Sequence, residues 1–342
     1  MNPSSIPDAL HQLKSLWLRP LYRNSLYLIL NIGITSFLGF FFWLIVAKVY
    51  SDVEVGYSSA IVSAINLLAM LSMVGLSSWI IRFLPRSEEP RNMINTAFTF
   101  SGCVAIAAAI IFLLGVRIWA PDLNFINRNA VFILVFVVIA PLAALSLLSN
   151  CIFIASRDSL FTLIKDVGVS LAKIVLALLF AANFHSFGIV SSWGIALAMG
   201  VGISVLLFIP KMQPAYKPAV KVNMGLIRKT WKYAGNSYIS TLFGGAPAQI
   251  FPLMVLTLTT VQNNAHFYIA WMIANLLFAV PVSISQSFFV EISHFPDHDS
   301  LKKNLFLSLK FVYLLIIPLM IILMVASGWL LGAFGSGYVE DG

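Results

Sequence analysis

Residues 94–116 of the chain read INTAFTFSGCVAIAAAIIFLLGV, a run of 23 positions without a charged side chain. The hydrocarbon core of a bilayer is about 30 Å thick, and a helix crosses it with roughly 20 apolar residues. An α-helix also pairs all of its own backbone polar groups, as a lipid-exposed segment must. A strand of a membrane barrel would alternate in polarity, whereas the run from Cys103 to Leu114 does not. The stretch therefore predicts a membrane-spanning helix.

The remainder of the 342-residue chain has the same character. Hydrophobic residues make up 60% of the sequence, charged residues 10%, and the mean hydropathy is +0.92. A soluble domain has about 25% charged residues, and it could not bury this much apolar surface. The composition therefore predicts a protein that lies in the membrane along most of its length.

Nine apolar stretches are long enough to cross a bilayer. They run approximately from Leu26 to Val46, Tyr57 to Ile81, Ile94 to Val116, Ala130 to Ile154, Leu160 to Ala182, Phe187 to Ile209, Tyr233 to Leu258, Ala265 to Val290 and Leu305 to Leu331. The predicted fold class is an all-α polytopic membrane protein, a two-lobed helical bundle with a complete six-helix first lobe and a truncated second lobe.

Basic residues predict the orientation of the bundle. About seventeen of the 21 Lys and Arg residues lie before the first span or around the even-numbered connections. Because such residues are retained on the cytoplasmic side, we expect a cytoplasmic amino terminus in a multi-pass protein of the inner or plasma membrane. The formal charge of +8 is then typical of a protein that contacts anionic membrane faces, and no nucleic-acid partner is expected.

The longest polar connection predicts a division into two lobes. We expect a cytoplasmic amphipathic tail at 1–25, a first lobe at 26–210, a basic linker at 211–232 and a partial second lobe at 233–342. An irregular tail at 1–25 is an equally open alternative.

A weak internal repeat supports this division. Residues 64–68 (AINLL) resemble residues 273–277 (IANLL), about 209 positions later. Six spans separate the two copies, so the repeat is parallel. Only the first three spans have counterparts, and the repeat therefore predicts further helices beyond this sequence.

The fifth span carries the most unusual polarity. Thr162, Asp166, Ser170 and Lys173 follow one another at steps of four, four and three, which places them on one helical face. Ionised groups within a span are costly and mark pathways for substrates or ions. Lys173 is a candidate contact for an anionic substrate and Asp166 for a coupling cation; a structural Asp166–Lys173 ion pair is the open alternative. Lys165, near the end of the span, is expected to extend toward the interface.

Three further residues are candidates for lining a cavity between the lobes. Asn66 and Asn275 occupy matching places in the repeat, and each could face a cavity or hydrogen-bond a neighbouring helix. Arg82 ends the second span, where it could anchor the helix or contact a phosphate. Together with Asp166, Ser170 and Lys173, they make six candidate substrate-cavity residues, and none is expected to be catalytic.

The sequence contains no motif that indicates an enzyme. No phosphate-binding glycine loop occurs, the histidines have no metal-ligand spacing, and Cys103 and Cys151 lie inside predicted spans. We therefore expect no catalytic activity, no cofactor and no bound metal.

Several segments carry a family resemblance. Residues 39–51 (GFFFWLIVAKVYS), 54–56 (EVG), 75–76 (GL) and 81–85 (IRFLP) resemble the oligosaccharide flippases of the polysaccharide-transporter family, and residues 331–338 (LGAFGSGY) look like the family's turn after the ninth helix. That family belongs to the multidrug/oligosaccharidyl-lipid/polysaccharide exporter (MOP) superfamily. Its members have 12 or 14 helices in two six-helix lobes, and this chain ends about where the tenth helix begins.

The resemblance implies a flippase or exporter that moves a lipid-linked oligosaccharide or polysaccharide precursor across the cytoplasmic membrane by alternating access. The implied partners are an undecaprenyl- or dolichyl-diphosphate-linked glycan, membrane lipids and glycan-assembly proteins of the same pathway, such as lipopolysaccharide biosynthesis. A cation-coupled multidrug exporter of the same superfamily is one alternative, for which Asp166 is the only plausible buried acid. A membrane-embedded polysaccharide polymerase or ligase is the other, and the short outer connections disfavour it.

Overall fold

The computed structural model describes residues 20–181, 185–294, 298–335 and 337–340, and within these ranges no strand occurs. The α-helices in chain order are α1 (Pro20–Val49), α2 (Asp52–Ser72), α3 (Leu76–Phe83), α4 (Pro90–Trp119), α5 (Ala130–Ala155), α6 (Leu160–Phe180), α7 (His185–Ile203), α8 (Ile209–Met212), α9 (Met224–Leu258), α10 (Val261–His294), α11 (His298–Gly332) and α12 (Gly337–Glu340). The all-α fold class is therefore confirmed. Residues 1–19 of the predicted tail at 1–25 lie outside the described residues, and residues 20–25 belong to α1.

Each predicted span coincides with a long helix or a pair of helices. Within the described residues, seven helical segments are long and apolar enough to cross a membrane. Helix α6 is not among the seven because Lys165, Asp166 and Lys173 all fall within its 21 residues. Helices α5, α9, α10 and α11 continue through internal prolines, which neighbouring helices can accommodate in a bundle.

The second predicted span is not one continuous helix, and the single-helix prediction for Tyr57–Ile81 is wrong. The helical conformation is interrupted between α2 and α3, where Val74 and Gly75 have φ angles of 44° and 79°. Glycine adopts this left-handed conformation readily, whereas a valine there is strained. Apolarity continues across the break, so hydropathy gave no sign of it.

Helix α2 is the centre of the bundle. It packs against α4, α5, α7, α9 and α10, and thirteen of its residues are buried. Many of these are small, including Ser58, Ser59 and Ala60, so neighbouring backbones approach closely. The helices α9 and α10 of the predicted second lobe thus contact the first directly, and the boundary at 211–232 stays a prediction.

Helix α6, which carries the intramembrane charges, lies between α1 and α7 and also contacts α5. Its ends are fixed by neighbouring elements. The Tyr50 hydroxyl, just beyond α1, donates to the Ala177 carbonyl oxygen at 2.7 Å. At the other end, the backbone N–H of Ser159 donates to the Asn24 side chain at 2.9 Å. These contacts hold the polar face of α6 in register with α1.

Candidate functional site

Asp166 is the centre of a polar cluster built by three helices. Its Oδ2 atom accepts hydrogen bonds from the side-chain amides of Asn31 on α1 and Asn150 on α5, each at 3.0 Å. Its Oδ1 atom lies 2.9 Å from the Lys165 ammonium. The Asp166 side chain remains 21% exposed. The carboxylate therefore has three direct partners, as a charge inside a bundle needs.

Lys165 is turned into the bundle, and the expectation that it extends toward the interface is wrong. Its side chain is fully buried, and its Nζ atom donates to both the carbonyl oxygen and the hydroxyl of Ser146 on α5 at 2.9 Å. Residues one apart on a helix do not share a face, so the flexible lysine side chain is what brings its ammonium to Asp166. The cluster links α5 and α6 through charge-assisted hydrogen bonds.

The absence of a side chain at Gly200 lets α7 pack closely against Val169 and Lys165 of α6. A Cβ atom on Gly200 would lie 2.4 Å from the Val169 side chain and 3.6 Å from Cγ of Lys165. Any larger residue at this position would have to displace the Val169 side chain. Gly200 is therefore part of the geometry that encloses the Lys165–Asp166 pair.

Several oxygens beside the pair have no hydrogen-bond donor among the described residues. They are Oδ1 of Asn31, Oδ1 of Asn150 and Oγ1 of Thr162, all buried. Because the two asparagine amide nitrogens are directed to Asp166, their oxygens are acceptors that remain available. The surroundings of Asp166 can thus accept hydrogen bonds from a hydroxyl or an ammonium group.

Lys173 lies about 10 Å farther along α6, two turns from Asp166. Its Nζ atom lies 5.1 Å from the centroid of the Phe42 ring and 5.4 Å from that of Trp193. These are cation–π distances. No carboxylate among the described residues forms an ion pair with it, and the Asp166–Lys173 pair considered from the sequence is therefore wrong. Asp166 pairs with Lys165 instead.

Of the other predicted site residues, Ser170 lies one turn from Asp166 on the same helix, and Asn66, Asn275 and Arg82 make no described bond to the cluster. Ser170 is buried on α6. Asn275 donates to the Trp271 carbonyl oxygen of its own helix at 2.7 Å, Asn66 is half-buried on α2, and Arg82 is exposed at the end of α3, with its guanidinium 5.7 Å from the Phe83 ring. None of the described hydrogen bonds or ion pairs of Asp166 involves any of these four residues.

Sequence reasoning missed Asn31, Asn150 and Ser146. Each is a polar residue within a predicted apolar span, a signal that was available. Helical spacing assigns residues to faces of one helix, but it does not show which faces of different helices meet. The partners of Asp166 therefore required the tertiary structure.

Comparison with known proteins identifies the fold. No protein-family model matches the sequence, and no curated protein matches it. A solved structure described as the inward-facing conformation of a multidrug resistance MATE family transporter of the MOP superfamily is similar, with a TM-score of 0.61 and 12% identity, covering 92% of this chain and 78% of that one. A MATE protein in complex with MaL6 gives a TM-score of 0.50 and 13% identity, with coverages of 95% and 77%. The chain therefore has a MATE-like polytopic transporter fold.

Proposed function

We propose that this protein is a membrane exporter that moves a polyprenyl-diphosphate-linked oligosaccharide or polysaccharide precursor by alternating access. Loading takes place from the cytoplasmic side of the inner or plasma membrane, the amino terminus is cytoplasmic, and no covalent chemistry occurs. The proposal rests on the MATE-like fold and on the charges of α6.

The observation that carries the choice of substrate is the balance of charge on α6. Lys165 and Asp166 neutralise each other at 2.9 Å, which leaves Lys173 as the additional charge. Its described neighbours are the uncharged rings of Phe42 and Trp193. A cation with no described carboxylate in direct contact favours an anionic ligand, such as a diphosphate, over a cationic one.

The diphosphate and the sugars of such a substrate cannot enter hydrocarbon without compensation. In this proposal Lys173 attracts the diphosphate, while Asp166, Ser170 and the acceptors of Asn31 and Asn150 offer hydrogen bonds to sugar hydroxyls. Arg82, Asn66 and Asn275 are proposed as more distant contacts along the path. Domain 26–210 and domain 233–342 are proposed to move relative to each other about the linker at 211–232.

A multidrug exporter is the second candidate. It is favoured by the similarity to a transporter described as a multidrug resistance protein. It is also favoured by the partial exposure of Asp166, which a cationic drug could approach. Such a drug would have to compete with Lys165 for the carboxylate, and this competition makes the anionic substrate the preferred proposal.

A transport assay separates the two candidates. The purified full chain is reconstituted in proteoliposomes that contain a fluorescent polyprenyl-diphosphate oligosaccharide in the inner leaflet, and a glycosidase added outside reports its arrival. We expect the wild type to expose the substrate, Lys173→Gln to slow it about tenfold through loss of a charge-assisted contact, and the exposed Lys48→Gln control to match the wild type. If the glycan does not move and ethidium is exported instead, the proposal is overturned in favour of the drug exporter.

A further inference from the structure

An irregular segment between α8 and α9 lies along the amino-terminal part of α4. We call residues 217–223 the strap. It follows Tyr216, whose side chain is 4% exposed and packs into the core with Trp79 and Ile209. It ends at Asn223, whose side chain caps α9 by accepting the backbone N–H of Gly225 at 3.1 Å. Both ends of the strap are therefore fixed to the bundle.

Three side chains of α4 hold the backbone of the strap. The Asn95 amide donates to the Lys217 carbonyl oxygen at 3.0 Å, and its Oδ1 atom accepts the backbone N–H of Ala219 at 3.3 Å. Thr99 accepts the backbone N–H of Lys221 at 3.2 Å. A fourth bond runs from the backbone N–H of Asn223 to Thr96 at 3.1 Å. An extended backbone is thus bound to a helix through side chains.

This pairing satisfies backbone polar groups of an irregular segment that lies beside a predicted membrane span. Thr99 lies nine residues after Pro90, where α4 begins, which corresponds to about 14 Å along its axis. Within a bilayer, backbone polar groups need partners, and irregular backbone is tolerated only against protein. Asn95, Thr96 and Thr99 provide those partners on one face of α4.

The exposed side chains of the strap are basic and apolar. Lys217 and Lys221 are exposed, and Val220 is 92% exposed between them. Arg91 is exposed one turn before Asn95 on the same face of α4. Of the nearby acids, Glu89 accepts a hydrogen bond from Asn92 at 2.7 Å. No described ion pair joins Glu88 or Glu89 to either lysine of the strap.

We propose that the strap is a binding surface for anionic phospholipid head groups. Lys217, Lys221 and Arg91 contact the lipid phosphates, and Val220 enters the boundary between head groups and acyl chains. Charge complementarity identifies the partner. Lys217 and Lys221 flank the exposed Val220 in the sequence, and Arg91 is exposed on the helix that holds the strap. Cations beside an apolar side chain suit the interface, where phosphates and hydrocarbon meet. The bound lipids hold the connection between α8 and α9 against α4. This inference does not depend on the identity of the transported substrate.

The test uses the purified full chain in neutral detergent, titrated with the anionic lipid POPG or with zwitterionic POPC, and follows the thermal midpoint. We expect POPG to stabilise the wild type at lower concentration than POPC does, and 0.5 M salt to weaken that effect. Each lysine near a membrane surface contributes about fivefold in affinity, so Lys217→Gln with Lys221→Gln should weaken the POPG response about 25-fold.

A matched variant removes two exposed basic residues from the opposite end of the bundle, Lys48→Gln with Arg128→Gln, and should keep the wild-type response. Equal responses of the wild type and the strap variant to POPG would overturn the proposal, as would equal effects of POPG and POPC. Inorganic pyrophosphate is titrated in parallel. If it stabilises the wild type as strongly as POPG and loses its effect in the strap variant, the surface binds free phosphate groups and not lipids.

Discussion

The side-chain amide of Asn264 on α10 donates to the carbonyl oxygen of Gly56 on α2 at 2.8 Å, and both residues are buried. The same amide reaches the Ser59 hydroxyl at 3.2 Å. A Cβ atom on Gly56 would lie 2.1 Å from the Val261 carbonyl oxygen. Close backbone approach and buried hydrogen bonds therefore join α2 of the predicted first lobe to α10 of the predicted second lobe.

Nearby contacts extend this junction. The His266 ring packs edge-on against Tyr338, with ring centroids 4.7 Å apart, and its Nε2 atom lies 3.9 Å from Asp52. Phe334 packs against Phe40 of α1 at 5.3 Å. The residues after α11 are thus attached to the starts of α2 and α10, at the end of the bundle that is poorer in basic residues.

Replacing Gly56 should separate α2 from α10. Gly56→Ala introduces a methyl group that overlaps the Val261 backbone, and overpacking of this kind costs about 1–3 kcal/mol. Gly102→Ala on α4 is the control, because its Cβ would meet nothing within 4 Å and alanine favours helix. Thermal unfolding in detergent should show a lower midpoint for Gly56→Ala only, and an unchanged midpoint would contradict the close approach.

Removing the Asn264 amide should weaken the same junction by a smaller amount. Hydrogen bonds between membrane helices contribute about 0.6 kcal/mol on average and up to about 1.7. Asn264→Leu should therefore lower the stability measured by denaturant unfolding within that range. The exposed neighbour Asn263→Leu should have little effect, and equal losses in the two variants would show that the buried bonds do not matter.

The Lys165–Asp166 pair should behave as a coupled unit. Asp166→Asn leaves the buried ammonium of Lys165 without its counter-charge, and breaking a buried pair in this way costs about 3–5 kcal/mol. Lys165→Met with Asp166→Asn removes both charges and should recover a large part of that loss. A double-mutant cycle of unfolding free energies measures the coupling, and simple additivity would argue against the pair.

Tyr50 should make stability depend on pH in the alkaline range. It lies just outside the span of α1, and burial, with a smaller effect from Glu54, raises the pKa of its phenol to about 12. The neutral phenol is favoured in the folded state, so its contribution is complete below pH 10, the ordinary pKa, and is lost as pH rises toward 12. Tyr50→Phe, which also lacks the bond to Ala177, should lose about 1 kcal/mol at pH 8.

The measurement is unfolding at pH 8 and at pH 11 for the wild type and Tyr50→Phe. The difference between the two proteins should shrink at the higher pH, because the wild type then loses the stability that its neutral phenol provides. A difference that stays constant or grows between the two values would show that Tyr50 titrates normally in the folded protein.

Much of the architecture could be predicted from the sequence because hydropathy depends on composition along the chain. Helices α4 and α5 begin and end within a few residues of the predicted spans 94–116 and 130–154. The break at Val74 and Gly75 could not be predicted in this way, since it is a change of backbone dihedral angles inside an apolar run.

For the charged residues within the spans, too, the sequence predicted one part and the tertiary structure decided the other. Sequence alone placed Asp166, Lys165 and Lys173 within one span, because the cost of a charge in lipid makes such residues conspicuous. Their partners were decided by tertiary structure: Asn31 and Asn150 meet Asp166 from other helices, and Phe42 and Trp193 adjoin Lys173. Periodicity gives the faces of each helix, whereas the rotation and contact of neighbouring helices depend on packing across the whole bundle.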